Sequence, residues 1–236
     1  MRVGWFSAGC SSLVACKLAN PDETVYIHVA NQHPDTIRFL MDARAVLGEI
    51  TVLQSLDFEG VDGVLSLGYI NGPAGAACTL RLKKWVREKW EREHIEHAPF
   101  EYVWGFDVTE RARAERMVEV MADHRHLFPL IDNGLTKEDC HQICTDMGIK
   151  RPAMYDLGYP NNNCIGCVKG GMGYWNRIRE DFPKVFERMA KRERQIGHSC
   201  IKGTFLDELE VGRGRNNPVV PSCSIACAMV ERMANA

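Results

Sequence analysis

The stretch RVGWFSAGCSSLVACKLA, residues 2–19, decides the fold of this chain. Its first part, residues 2–7, is a short apolar run that predicts a buried strand, and residues 11–19 carry apolar side chains at helical spacing. Six small residues stand between the two: Ser7, Ala8, Gly9, Cys10, Ser11 and Ser12. We therefore predict a strand, a turn in which backbone closely approaches a partner, and a helix.

The alternation of strands and helices continues beyond this turn. Residues 24–30 and 50–53 predict strands and residues 33–47 an amphipathic helix, while 100–106 and 127–131 predict a fourth and a fifth strand. Apolar strands that scarcely alternate are typical of a parallel sheet with helices on both faces and right-handed crossovers. The sequence therefore predicts an α/β fold with a doubly wound, five-stranded parallel sheet.

The rest of the chain reads as helices, loops and a tail. Helices are predicted at residues 79–93, from 109 onward, and at 136–147, 173–181 and 183–195, with a loop at 72–77. We predict a nucleotide-binding domain over residues 1–200 and a cysteine-containing C-terminal tail over residues 201–236.

Composition narrows the function classes. The net charge of −2 gives no global basic field for nucleic acid. A local cluster remains, interpretable as a solvated helix face or as a nucleic-acid surface: Arg81, Lys83, Lys84, Arg87 and Lys89. Because the chain shows no signal peptide and no apolar run of membrane-spanning length, we expect a cytoplasmic protein without a membrane partner.

Ten cysteines call for a chemical explanation, since a reducing cytoplasm disfavours structural disulfides. Cys164 and Cys167 form a C-x-x-C, whose spacing lets two thiolates hold one metal ion or cluster, or form a redox pair. Further candidate ligands are Cys78 and the tail residues Cys223 and Cys227. For Cys140 and Cys144, four apart on one helix, buried packing is the favoured interpretation.

The small-residue turn favours an anion. A turn between strand and helix aims backbone N–H groups and the positive end of the helix at phosphate or sulfate. The turn fits neither the P-loop nor the dinucleotide fingerprint, and a tight packing turn is the alternative interpretation.

Five further residues are candidates for holding phosphates. Lys169 and Gly170 directly follow the C-x-x-C, where a lysine would lower thiolate pKa values. Glu110, Arg113 and Arg116 follow the fourth strand, and the arginines could clamp phosphates or form ion pairs within a charged helix.

Two of these stretches carry a family resemblance. FSAGCSS resembles the PP-loop, S-G-G-x-D-S, of the adenine-nucleotide α-hydrolase-like superfamily. Residues 129–171, PLIDNGLTKEDCHQICTDMGIKRPAMYDLGYPNNNCIGCVKGG, resemble the phosphoadenosine phosphosulfate reductase family, particularly phage and bacterial relatives of uncertain substrate. The resemblance covers about residues 2–200.

The resemblance implies sulfur chemistry on an adenine nucleotide, held at Ser7–Ser12 as phosphoadenosine phosphosulfate, adenosine phosphosulfate or ATP. It implies a [4Fe–4S] cluster on Cys78, Cys164 and Cys167, one ligand short because Ala77–Cys78 stands where the family has Cys-Cys. Cys223 or Cys227 would be the catalytic nucleophile, with a thiol reductant such as thioredoxin as partner. Because Ala8 replaces the first PP-loop glycine and Ser11 the aspartate, Mg-dependent ATP cleavage is disfavoured.

Two alternatives stay open. One is ATP-dependent adenylation and thiolation of a nucleic acid, in which an open iron delivers sulfide. The other is a zinc-stabilised nucleotide-binding module in which Cys164 and Cys167 are structural. The leading hypothesis requires that folding bring Cys78, Cys164 and Cys167 together near the turn. The sequence leaves the oligomeric state open, a homodimer included.

Overall fold

The computed structural model describes residues 1–72 and 75–215 of the chain. The strands there are β1 (Arg2–Phe6), β2 (Glu23–Ile27), β3 (Ile50–Leu53), β4 (Asn71–Gly72), β5 (Gly75–Ala76), β6 (Glu101–Val103) and β7 (Arg125–Leu127). The α-helices are α1 (Cys10–Ala19), α2 (Asp35–Leu47), α3 (Val61–Leu65), α4 (Ala77–Thr79), α5 (Trp85–Glu93), α6 (Arg111–Val120), α7 (Pro129–Asp132), α8 (Lys137–Asp146), α9 (Ala153–Asp156), α10 (Met172–Asp181) and α11 (Pro183–Ile196).

Five strands form one parallel sheet in the order β3-β2-β1-β6-β7. In the register of the central strand, Gly4 lies opposite Thr24 of β2 and Val103 of β6. The strand order changes direction between β1 and β6, and in open α/β sheets ligands bind at such a reversal, beyond the carboxyl ends of the strands. The predicted fold class, α/β with a doubly wound parallel sheet, is confirmed.

Aromatic side chains pack helices onto both faces of this sheet. Phe6 stacks on Phe39 of α2 with ring centroids 6.1 Å apart. The preceding residue, Trp5, points to the opposite face and meets the edge of Trp90 of α5 at 5.6 Å. Since successive side chains of a strand alternate between faces, this pair of neighbours anchors both helical layers.

Four elements differ from the sequence predictions. The fifth strand ends at Leu127, and Pro129 begins helix α7, because proline suits the first turn of a helix but cannot donate to a strand ladder. The predicted helix over residues 79–93 starts at Ala77 and contains a π-helical segment, Leu80–Lys84. The short helices α3 and α9 were not predicted.

The chain divides into two compact units. The first comprises Met1–His28, Pro34–Gln54 and Val86–Gly158 and contains the five-stranded sheet. The second comprises Val29–His33, Ser55–Trp85 and, among the described residues, 159–215. It contains the β4–β5 hairpin with α3, α4, α10 and α11. In the described part of the chain, no helix has the length and apolarity to cross a membrane.

Candidate functional site

The turn after β1 is organised from within by Ser12. Its Oγ accepts hydrogen bonds from the Ser7 amide and the Ser7 hydroxyl, both at 3.1 Å, and donates one to the Gly9 carbonyl at 2.9 Å. Ala8, with φ of 57°, sits in the left-handed region that L-residues rarely adopt. Ser12 is one of the residues predicted to hold the nucleotide, but its hydroxyl is buried. It stabilises the turn instead.

The same turn leaves backbone donors without an intrahelical acceptor. Gly9 is the N-cap of α1, and the amides of the first helical turn have no partner within a helix. Ser7 is exposed at the mouth of the turn and Ser11 is partly exposed. Together with the positive end of the helix dipole, these groups make a site suited to phosphate or sulfate.

Gly105 fixes how closely β6 approaches this turn. A Cβ built on Gly105 would lie 2.7 Å from both the N and the Cα of Ser12. Only a residue without a side chain therefore allows the chain leaving β6 to pass beside the start of α1. The two strands that flank the reversal of strand order thus meet at the first turn of α1.

Cys10 and Ser11 direct their side chains at helix α8. The Cys10 thiol is fully buried and hydrogen-bonds Cys144, which raises the pKa of the Cys144 thiol together with its burial. Burial raises the pKa of Cys140 to about 12, although its hydrogen bond to Ser11 acts in the opposite direction. The Cys140 and Cys144 thiols stay protonated at neutral pH, as expected of packing groups rather than nucleophiles.

The candidate phosphate clamp after β6 is engaged in a helix start. Asp107 accepts from the Thr109 amide at 2.8 Å, and Glu110 accepts from the Asp107 amide at 3.3 Å, which is a capping box. Glu110 also pairs with Arg113 at 2.5 Å, the ion pair that the sequence offered as the alternative interpretation. The guanidinium of Arg113 lies 4.3 Å from the Phe106 ring, and Arg116 has a buried Nε without a partner among the described residues.

In the second unit, Tyr174 braces the C-x-x-C. The Cys167 amide donates to the Tyr174 hydroxyl at 2.9 Å, and this hydroxyl donates to the Cys164 carbonyl at 3.2 Å. Gly166 has φ of +75°, and a Cβ there would lie 2.7 Å from Val185 of α11. The loop between the two cysteines is therefore held at both ends and requires glycine in its middle.

Lys169 and Gly170 follow this loop without a break. The Gly170 amide donates to the Cys167 carbonyl at 2.9 Å, which continues the turn. An added Cβ on Gly170 would overlap the Tyr174 ring, so this glycine serves the packing of Tyr174. Lys169 is half-buried.

Cys200 joins the thiols of the second unit. Its pKa is raised by burial first, then by the Glu193 carboxylate and by the Cys78 thiol, so Cys78 and Cys200 lie within electrostatic range of each other. Glu193 is fully buried and accepts from the Cys200 amide at 2.5 Å and from the Leu206 amide at 2.7 Å. Through these two hydrogen bonds the Glu193 carboxylate closes the segment 200–206 onto helix α11.

The thiols of the described residues are not grouped as ligands of a single ion. Within residues 1–72 and 75–215, no three His, Cys, Asp or Glu side chains are grouped as ligands of one metal ion. A zinc ion needs its thiolates at about 2.3 Å from one point. In a [4Fe–4S] cluster each thiolate binds its own iron, so its ligands are spread more widely. Cys223 and Cys227 lie outside the described residues, and their proposed role stays a prediction.

Sequence reasoning missed four residues of these two regions. The role of Gly105 depends on a contact with Ser12, which is distant in sequence. The roles of Tyr174, Glu193 and Cys200 depend on hydrogen bonds that span 7 to 13 residues. The S-C dipeptide at residues 199–200, after a predicted helix, was the one local sequence feature that could have drawn attention to Cys200. Comparison of the chain with protein-family models, curated proteins and solved structures finds no match.

Proposed function

We propose that this chain is a cytoplasmic, nucleotide-binding enzyme of sulfur chemistry that resembles the sulfonucleotide reductases. The observation that carries the proposal is the turn at Ser7–Ser12, placed at the reversal of strand order between β1 and β6 and capped by the N-terminus of α1. Both features favour an anionic ligand at that position. The phosphates or the sulfate of a nucleotide would bind the backbone of this turn.

The side chains of the turn favour a sulfonucleotide over Mg-ATP. Position 11, where the PP-loop has aspartate, is a serine whose hydroxyl bonds the Cys140 thiol. The turn itself therefore offers no carboxylate for a magnesium ion, which prefers oxygen ligands that include carboxylates. Adenosine phosphosulfate or phosphoadenosine phosphosulfate needs no such metal to bind.

The cysteines of the second unit fit an iron–sulfur cluster by their chemistry. Soft thiolates are the ligands of such clusters, and Cys78, Cys164 and Cys167 would hold it. When bound, the cluster would supply a charged, redox-active group to the enzyme.

The reaction requires only thiols and the sulfonucleotide. A thiolate of the chain, Cys223 or Cys227 as candidate, attacks the sulfate sulfur, the S–O bond to the nucleotide phosphate breaks, and AMP or adenosine 3′,5′-bisphosphate leaves. An S-sulfocysteine remains on the enzyme. A dithiol such as reduced thioredoxin then attacks the cysteine sulfur, releases sulfite with the bonding pair, and is oxidised to the disulfide.

The test is a thiol-dependent assay on anaerobically purified protein. We expect sulfite release from one of the two sulfonucleotides in the presence of thioredoxin, and its loss in the Cys223→Ser, Cys227→Ser double variant. Iron and sulfide analysis of wild type and Cys78→Ala tests the cluster separately. Nucleotide turnover that forms AMP and pyrophosphate without sulfite would contradict the reductase proposal.

One observation favours the second candidate, ATP-dependent thiolation of a nucleic acid. Trp85 is exposed beside a basic segment, which is unusual for a tryptophan in this protein. AMP and pyrophosphate formation that depends on added RNA or DNA would support this candidate.

A further inference from the structure

The basic cluster of the sequence lies on the consecutive helical segments Leu80–Lys84 and Trp85–Glu93, and the cations of the two segments differ in their surroundings. In the first unit, Arg87 is buried against Glu91 at 2.5 Å, and Lys89 pairs with Glu93 at 2.7 Å. These two cations, which the sequence grouped with the basic cluster, are neutralised locally. The basic character of the cluster therefore rests on Arg81 and Lys83 of the second unit, in the segment Leu80–Trp85, which contains no acidic residue.

Trp85 gives this segment an aromatic surface. It is 40% exposed, whereas the four other tryptophans, Trp5, Trp90, Trp104 and Trp175, are at most 3% exposed. Leaving part of a large aromatic side chain exposed forgoes some of the stabilisation that burial would give, so its position calls for a reason. The segment around it is π-helical, an irregularity that is frequent at functional sites.

Arg81 covers Trp85 in this structure. Its guanidinium carbon lies 4.2 Å from the ring centroid, and its Nε is buried without a hydrogen-bond partner among the described residues. Such a stack is weak at an exposed site. A charged hydrogen bond to a phosphate is stronger, so a phosphate would draw Arg81 off the ring.

We propose that Arg81, Lys83 and Trp85 form a binding surface for single-stranded nucleic acid. Backbone phosphates pair with the two cations, and the Trp85 face that Arg81 uncovers stacks on a base. Stacking on an aromatic side chain with flanking cations is how proteins bind single strands without reading their sequence. The surface lies outside the nucleotide turn, so it can fail or hold independently of the proposed function.

The test is titration of the full chain with a fluorescein-labelled oligothymidine of about 15 nucleotides. We expect anisotropy to report a Kd between about 1 and 100 µM and tryptophan emission to be quenched. Trp85→Leu, which keeps an apolar side chain, should weaken binding about 5- to 150-fold and abolish the quenching. Lys83→Ala should reduce the salt slope by about 0.7, while Lys191→Ala, an exposed lysine of α11, should leave it unchanged.

Three outcomes would overturn the inference. The first is that Trp85→Leu binds the oligothymidine with wild-type affinity. The second is that Lys83→Ala and Lys191→Ala reduce the salt slope equally. The third is that polyglutamate quenches tryptophan emission as strongly as the oligothymidine does. The last would mean that the segment senses negative charge alone. Circular dichroism of each variant shows whether the fold is kept, and Trp85→Phe, which retains an aromatic face, should restore most of the affinity lost in Trp85→Leu.

Discussion

The close approach of Gly105 to the start of α1 makes Gly105→Ala the sharpest test of the nucleotide turn. The new Cβ would lie 2.7 Å from the Ser12 backbone, and ordinary contact begins at 3.4 Å, so α1 must shift by about 0.7 Å. Overpacking of this kind typically costs about 1–3 kcal/mol of stability. It also displaces the amides that would bind the anion, and misplacement on this scale lowers affinity about tenfold or more.

Isothermal titration with adenosine phosphosulfate measures this effect on folded protein. Gly63→Ala is the matched control, because its Cβ would meet only Phe58 at an ordinary 3.4 Å within helix α3. We expect Gly63→Ala to bind like wild type and Gly105→Ala to bind about ten times more weakly or worse. Equal affinity in wild type and Gly105→Ala would show that the anion does not bind at the start of α1.

Three further predictions concern stability. Burial raises the pKa of Cys16 from 9.0 to about 12, so the unfolded chain loses this proton first and stability falls as pH rises above 9. At pH 10 the ionisation of Cys16 in the unfolded chain lowers the free energy of unfolding by about 1.4 kcal/mol. Urea melts at pH 8 and pH 10 should therefore show a smaller loss of stability between the two pH values in Cys16→Ala than in wild type. Tyr174→Phe leaves the Cys167 amide without its acceptor, so the free energy of unfolding from urea melts should fall by about 1–3 kcal/mol. The control variant Tyr69→Phe, at an exposed tyrosine, should leave it unchanged. Glu193→Gln weakens two buried hydrogen bonds and should cost a similar amount; a stability change under about 0.5 kcal/mol would contradict the closing role of this carboxylate.

The sheet was predictable because its signals are local. Four of the five strands of the parallel sheet lie in short apolar runs, and the turn at Ser7–Ser12 is formed by consecutive small residues. The fifth strand, predicted at residues 127–131, lies at Arg125–Leu127. It was misplaced because residues 127–131 are apolar throughout, and periodicity does not separate a short strand from a short buried helix. Pro129 was the available signal for the helix start.

The interior of the candidate site was much less predictable. Ser12 has the residue type of a ligand-binding hydroxyl, yet hydrogen bonds to Ser7 and Gly9 bury it inside the turn. Which of two neighbouring serines faces outward depends on the helical phase at the first residue of α1, and the residue that packs against this turn, Gly105, lies about ninety positions later in the sequence. Residue type therefore identified the turn but not the roles within it.

Burial divides the cysteines in a way that composition could not. Cys10, Cys16, Cys140 and Cys144 are sealed in the core of the first unit. Desolvation raises the pKa of Cys16 and Cys140 and contributes to the raised pKa of Cys144, which keeps these three thiols protonated and unreactive. In the second unit, Cys78, Cys164 and Cys200 are partly exposed and Cys167 is buried. Ligand and redox chemistry require thiolates that a metal or a substrate can reach. Among the described residues, the cysteines accessible to such chemistry therefore lie in the second unit, and the cysteines of the first unit contribute packing.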